Sequence, residues 1–260
     1  MLLSLVAIGF VGLLLGLLGG GGSVLILPLL VYLVGIDPVM ATCYSLVIVG
    51  SAALFGATKY LRQGLVDLRS VVTFGIPSVA GVFLTRFVLM PVIPDMLLTH
   101  DRFPLSKNTL VMVVFAILIL ASAMSMIRKS DKAQIVATSR GVWVSIFAGM
   151  LLGLTTGFVG AGGGFMIVPA LIFLLGVPIR KAIGTSLFII AMKSLLGFGA
   201  DAVVLEGIQW GLLLKFTIAA VVGILIGVRL NRLVPAEKLK VSFGWMILAV
   251  GVAILLREFS

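Results

Sequence analysis

The chain has 260 residues, of which 61% are hydrophobic and only 11% charged, and its mean hydropathy is +1.31. Soluble domains carry about 25% charged and under about 50% apolar residues, so this composition excludes a soluble globule and predicts an all-α polytopic membrane protein. The net charge of +10 comes from basic residues in short loops between apolar runs, which argues against a nucleic-acid partner.

The first apolar run, residues 2–35, is too long for one crossing. As a straight helix it would reach roughly 50 Å, against a hydrocarbon core of about 30 Å. Four glycines at 19–22 interrupt it, and clustered glycine breaks a helix. Three runs of ordinary length follow. The first half is therefore predicted to be a glycine-broken helical hairpin and then three spans, at 40–58, 70–93 and 108–127.

The second half repeats the first. Residues 12–46 align without gaps with 153–187, and 14 of the 35 pairs are identical. The long run 142–176 is again broken by glycines, at 160–164, and three shorter runs follow it. We expect a first repeat at 1–127, a basic cytoplasmic linker at 128–141 and a second repeat at 142–260.

The basic residues predict that the two repeats are inverted, because cytoplasmic loops collect Lys and Arg. If both long runs enter and return as hairpins, thirteen loop cations share one side and three lie on the other. If each long run instead crosses once, the count is eight on each side. The strong asymmetry favours two inverted repeats, and a single tilted, kinked helix remains the alternative.

The glycine clusters are the predicted substrate site. Inverted repeats with paired broken helices are typical of secondary transporters, whose substrate lies where the repeats meet. A half-helix that starts at the break presents free N–H groups and a partial positive charge, which favour an anion. The residues assigned to this site are Gly19, Gly20, Gly21, Gly22 and Ser23 in the first copy and Gly160, Gly162, Gly163 and Gly164 in the second. Glycines spaced at four, such as Gly12 and Gly153, are expected to be helix-packing contacts instead.

Lys193 is the unusual charged residue, because it lies in the middle of the run 182–200. A central Lys costs about 2.5–3.5 kcal/mol on insertion scales, so it should face a cavity or a partner, and a cation suits an anionic substrate. Ser186 and Thr185 precede it by two turns and could line the same cavity. The alternative is that Lys193 pairs with Asp201 or Glu206, or extends to the membrane interface.

The other charged residues near the spans are expected to have ordinary roles. Arg86 and Lys215 lie nearer the ends of their runs, where they should extend to the interface as anchors. Asp37, Asp201 and Glu206 fall on the predicted outer side and should be solvated, with help in proton entry as the alternative.

The repeated motifs resemble the sulfite exporter TauE/SafE family of membrane transporters. These motifs are the glycine cluster at 160–164, a following proline, Gly-Val-Pro at 176–178, and Gly-Thr-Ser-Leu at 184–187, and the resemblance spans nearly the whole chain. The first copy departs from the pattern with Thr-Cys-Tyr-Ser-Leu at 42–46, where Ser45 is the hydroxyl assigned to the site. The resemblance implies transport of sulfite, or of another small sulfur-containing or organic anion, across the bacterial cytoplasmic (inner) membrane without ATP hydrolysis.

We therefore expect a secondary transporter, coupled to the proton gradient, that moves a small anion by alternating access. A passive anion channel or a membrane-embedded structural subunit is the alternative. The expected partners are the anionic substrate and membrane lipid, and a homo-oligomer stays open. Cys43 and His100 are the only cysteine and histidine, and no Walker-type loop, His-Glu-Xaa-Xaa-His or Gly-Xaa-Ser-Xaa-Gly occurs. An enzyme, a cofactor and a metal site are accordingly not expected.

Overall fold

The computed structural model describes residues 1–94, 96–98, 105–127, 141–160, 163–204, 207–231 and 236–258. Within these ranges each half of the chain forms five helices in the same order. The first half contains α1 (Leu2–Leu18), α2 (Gly21–Val34), α3 (Pro38–Arg62), α4 (Leu68–Val92), a short antiparallel ribbon of β1 (Met96–Leu98) and β2 (Leu105–Ser106), and α5 (Lys107–Ile127). The second half contains α6 (Val142–Val159), α7 (Gly164–Leu175), α8 (Ile179–Val204), α9 (Trp210–Leu230) and α10 (Ala236–Glu258).

Glycine in the left-handed conformation ends the first helix of each half. Gly19 has φ 65° and its N–H bonds to the carbonyl of Leu15. Gly160 has φ 69° and its N–H bonds to the carbonyl of Thr156 in the same way. A residue with a Cβ is strained at such angles, so the glycine clusters stop both helices where the sequence predicts a break.

Beyond each break the chain returns alongside the helix it has just left. Gly22 packs against Val11 and Leu15, and Tyr32 near the end of α2 shares a groove with Ala7 near the start of α1. In the second half, residues at the two ends of the long run 142–176 line one cavity of about 360 Å³. Its lining includes Gly141, Val142 and Ser145 at one end of the run and Leu175, Gly176, Val177 and Pro178 at the other. This geometry is that of two hairpins rather than of two kinked single crossings.

Close glycine contacts join each hairpin to a helix of the other half. Gly12 lies against Ala220 and Gly16 against Ile224, so α1 and α9 run parallel. On the other side Gly153 lies against Ser78, and the same succession of contacts makes α6 and α4 parallel. In both seams an added Cβ would overlap backbone atoms of the neighbouring helix. The prediction that the glycines spaced at four are packing contacts is confirmed.

The third helices of the two halves pack against each other in opposite directions. Gly50 of α3 faces Ser194 of α8, whereas Gly184 near the start of α8 faces Tyr60 near the end of α3. Helices α5 and α10 also pack together. Exchanging the two halves would thus map the pair α1–α9 onto the pair α6–α4, and would map α3–α8 and α5–α10 each onto itself. The inverted repeat and the boundaries 1–127 and 142–260 stay predictions, which these directions support, and the linker residues 128–140 lie outside the described residues.

The distribution of side chains is that of a protein surrounded by lipid. Six helices in the described part are long and apolar enough to cross a membrane, namely Pro38–Arg62, Leu68–Val92, Lys107–Met124, Val142–Val159, Ile179–Ala202 and Trp210–Leu230. Large apolar side chains such as Phe10, Phe147 and Trp143 are exposed, whereas three charged side chains of the described part, those of Arg86, Lys193 and Asp201, are buried. This pattern suits a multi-pass membrane protein, in agreement with the fold class predicted from the composition.

Candidate functional site

The glycine bends of the two hairpins touch each other. A Cβ placed on Gly164, at the start of α7, would lie 2.5 Å from both the Cα and the carbonyl oxygen of Gly20. Ile190 of α8 packs against both glycines, since its Cδ1 would lie 2.5 Å from a Cβ on either one. The contact therefore leaves no room for a side chain larger than hydrogen at Gly20 or Gly164. It brings the two glycine clusters of the predicted site together.

The first bend is held by hydroxyl groups of the protein itself. Ser186 of α8 donates to the carbonyl oxygen of Gly19 and also to that of Ile183, at 2.8 Å. Ser23 donates from Oγ to the carbonyl oxygen of Gly20 at 2.7 Å. Both hydroxyl groups are buried. Their hydrogen bonds stabilise the turn, and that of Ser186 connects it to α8. Both hydroxyl protons are therefore already used within the protein.

Lys193 lies at the second bend. Its side chain is 1% exposed, and Nζ donates to Oγ1 of Thr156 at 2.9 Å. A Cβ on Gly163, which has φ 62°, would lie 2.8 Å from Nζ, so the ammonium lies directly against the bend. In the described part of the chain no carboxylate lies within ion-pair distance of Lys193. Neither the predicted pairing with Asp201 nor extension to the interface occurs, and Glu206 lies outside the described residues.

Arg86 reaches the same bend from α4, and here the prediction of an interfacial anchor is wrong. Arg86 is 2% exposed, and its Nη1 donates to Oδ2 of Asp201 at 2.9 Å and to Oγ1 of Thr42 at 2.8 Å. A Cβ on Gly160 would lie 2.5 Å from Nη2, so the guanidinium covers the start of the bend. The prediction that Asp201 is solvated is also wrong, because the ion pair holds it inside the bundle at 5% exposure.

Arg86, Lys193 and Thr156 at the second bend are called the centre below. The remaining predicted residues lie in different places relative to it. Thr185 accepts a hydrogen bond from the backbone N–H of Asp67 at 2.8 Å, so it lies toward the cavity that Asp67 lines, away from Lys193. Ser45 is fully buried and its hydroxyl has no hydrogen-bond partner within the described ranges. Gly162 lies outside the described residues. Lys215 is exposed on α9, as an anchor would be.

Two residues of the centre were missed by sequence reasoning, Thr156 and Arg86. Thr156 donates to the carbonyl of Leu152 at 2.7 Å, which leaves its oxygen free to accept from Lys193. No sequence pattern distinguishes this threonine from the neighbouring Thr155. For Arg86 a signal did exist, since a charged residue within a membrane span is a functional candidate by default.

The electrostatic character of the centre is positive. Two buried cations, Arg86 and Lys193, lie against Gly160 and Gly163 near the start of α7, and within the described residues one buried carboxylate, Asp201, opposes them. With all three groups ionised, the buried net charge is one positive charge. The first bend has no comparable cation among the described residues, because Ala52 occupies the position of α3 that corresponds to Lys193. The arrangement can accommodate an anion at the second bend.

The chain is similar to known membrane proteins over nearly its whole length. Residues 4–254 match the family described as sulfite exporter TauE/SafE. A "probable membrane transporter protein" of Xylella fastidiosa is 32% identical over 97% of this chain and 94% of its own length. Proteins with similar names from Bacillus subtilis and Methanocaldococcus jannaschii are 25% and 22% identical, over 96% and 97% of this chain and 93% and 94% of their own lengths. No solved structure matches. The chain thus belongs to the TauE/SafE family and is a membrane transporter, not an enzyme.

Proposed function

We propose that the protein is a secondary transporter that moves a small sulfur-containing or organic anion, sulfite-like in character, across the bacterial cytoplasmic membrane and is coupled to the proton gradient. The observation that carries this proposal is the buried ammonium of Lys193, which lies against a glycine bend without a carboxylate partner in the described part of the chain.

The argument rests on the cost of buried charge. Removing an ammonium from water costs several kcal/mol unless an opposite charge compensates it. Thr156 supplies one hydrogen bond to Lys193 but no charge. A bound anion would supply the missing negative charge, and at a glycine bend it could also reach backbone N–H groups directly. The site is therefore suited to an anion rather than to a neutral or cationic solute.

The burial of the site supports a carrier rather than a channel. Lys193, Arg86 and Thr156 are each no more than 2% exposed, so the centre is closed to solvent. The cavity of about 360 Å³ lined by Arg69 and Lys181 lies at the side of the basic loops and would serve as a cytoplasmic vestibule. Alternating access would open the centre to this cavity and to the opposite side in turn.

Uptake into reconstituted vesicles tests the proposal. Purified protein is reconstituted, and sulfite flux is measured with and without an imposed pH difference. We expect saturable flux that responds to the pH difference. A channel would give flux driven only by the sulfite gradient, and a structural subunit would give none, so either result contradicts the proposal.

Replacing Lys193 tests the cation itself. Lys193→Met should raise the sulfite concentration for half-maximal uptake by roughly 10- to 100-fold, because a hydrogen bond to a charged group contributes about 1.5–3 kcal/mol. Lys215→Met is the matched control, since it removes an exposed lysine from α9. If the two variants behave alike, Lys193 does not bind the anion.

The partners follow from the same proposal. A small anion occupies the centre, and lipid surrounds the exposed apolar helix faces. Assembly into a homo-oligomer is a further proposal, to be tested by the mass of the purified protein in detergent.

A further inference from the structure

The contact between Arg86 and Asp201 uses only part of the guanidinium. One nitrogen of Arg86, Nη1, donates hydrogen bonds to both Asp201 and Thr42. A carboxylate commonly binds arginine through two parallel hydrogen bonds, but here Asp201 makes one. Within the described part of the chain, Nε and Nη2 are buried and have no hydrogen-bond partner.

One of the two unused donors, Nη2, lies at the second bend. Nη2 lies against Gly160, at the start of the second bend, and Lys193 lies against Gly163, three residues further along the same bend. A buried donor without a partner is unfavourable, so it is rarely retained without a reason. An oxyanion between the two cations would satisfy Nη2, and its second oxygen could accept from Nε.

We propose that Arg86 binds the transported anion through these free donors, and that the carboxylate of Asp201 takes up a proton when the bound anion neutralises the charge of the guanidinium. This inference rests on the proposed function and names the residue that couples the proton. The proton comes from the aqueous side to which the centre is open, and the guanidinium and the ammonium keep theirs.

Charge conservation supports this coupling. With Arg86, Lys193 and Asp201 all ionised, the empty centre has a net charge of plus one. With a bound monoanion and a protonated Asp201 the net charge is again plus one. A centre that keeps the same buried charge when empty and when loaded avoids an additional desolvation cost in either state.

In the described part of the chain, Asp201 faces one charged group and two neutral hydrogen-bonding groups. These are Arg86 from α4 and, from α3, the thiol of Cys43 and the hydroxyl of Thr42, which bonds to the same nitrogen of Arg86. Lys193 lies eight residues earlier on α8 and bonds to Thr156 instead. Arg86 is thus the charged partner whose neutralisation by an anion would favour protonation of Asp201.

Transport by Asp201→Asn separates coupling from binding. Vesicles receive sulfite under a pH difference of about one unit, which can drive about tenfold accumulation if one proton accompanies one anion. A second assay measures sulfite exchange at equal pH. Asp201→Asn should lose accumulation in the first assay while exchange remains measurable in the second. Asp37→Asn is the matched control, because Asp37 is an exposed carboxylate at the start of α3, and it should behave as wild type.

Other results would overturn the inference. If Asp201→Asn accumulates sulfite as the control does, or if both assays fall in the same proportion, Asp201 does not couple the proton. If wild type shows no saturable flux, the proposed function fails and the inference fails with it.

A double variant keeps the test decisive if Asp201→Asn does not fold. Arg86→Met combined with Asp201→Val removes both charges with little change in total side-chain volume, and a purely structural pair often tolerates such a replacement. We expect this variant to fold but to lose the thermal stabilisation by sulfite that wild type shows. Sulfite stabilisation equal to that of wild type would overturn the role of Arg86.

Discussion

Replacing Gly164 by alanine tests the contact between the two glycine bends. The added Cβ would lie 2.5 Å from two backbone atoms of Gly20, about 0.9 Å short of ordinary van der Waals contact at 3.4 Å. Backbone atoms cannot rotate away, so the two hairpins must separate by roughly that amount. Overpacking of this kind costs about 1–3 kcal/mol of folding free energy. Because Arg86 and Lys193 also lie against this bend, sulfite uptake should fall as well.

Gly199→Ala is the matched control for this substitution. Gly199 lies within α8, and an added Cβ there meets nothing within 4 Å. Alanine in a helix interior should leave stability unchanged or raise it by up to about 1 kcal/mol. Thermal unfolding of both purified variants in detergent, followed by the uptake assay, measures the difference. If Gly164→Ala is as stable and as active as Gly199→Ala, the two bends are not in contact.

Two further predictions follow from the buried groups of the centre. Cys43 is the only cysteine and is fully buried, so a maleimide should label wild type slowly in the absence of sulfite and faster during turnover, as measured by mass spectrometry; labelling at the rate of an exposed thiol would contradict the closed centre. Ser186→Ala removes a donor to Gly19 and should lower stability by about 1 kcal/mol, whereas Thr58→Ala, which removes an exposed hydroxyl bonded within its own helix, should have little effect. Equal stability of these two variants would contradict the role of Ser186.

Much of the fold could be predicted because membrane insertion imposes strong local rules. Apolar runs set the spans, and the glycine clusters set the positions where α1 and α6 end. The internal repeat made the two breaks visible as a pair. The ribbon of β1 and β2 was not predicted, because pairing of such short segments depends on the turn between them rather than on periodicity.

The centre was predicted only in part, because its contacts join distant parts of the chain. Lys193 could be identified from its position within a span, but its partner Thr156 is 37 residues away on another helix. Arg86 and Asp201 are separated by 115 residues, and each lies near the end of its apolar run, where a charged side chain ordinarily reaches water. Their burial results from how α4 and α8 pack, which no local pattern reports.

The parallel glycine seams have a consequence for how the molecule can move. The outer arm of each hairpin is fastened to a helix from the opposite half, α1 to α9 and α6 to α4. Each unit that moves as a rigid body during transport must therefore include helices from both halves. The two halves are interlocked and are not two separate bundles. If the chain were cut within the linker at 128–141, the two separate halves would have to associate with each other to form a functional transporter.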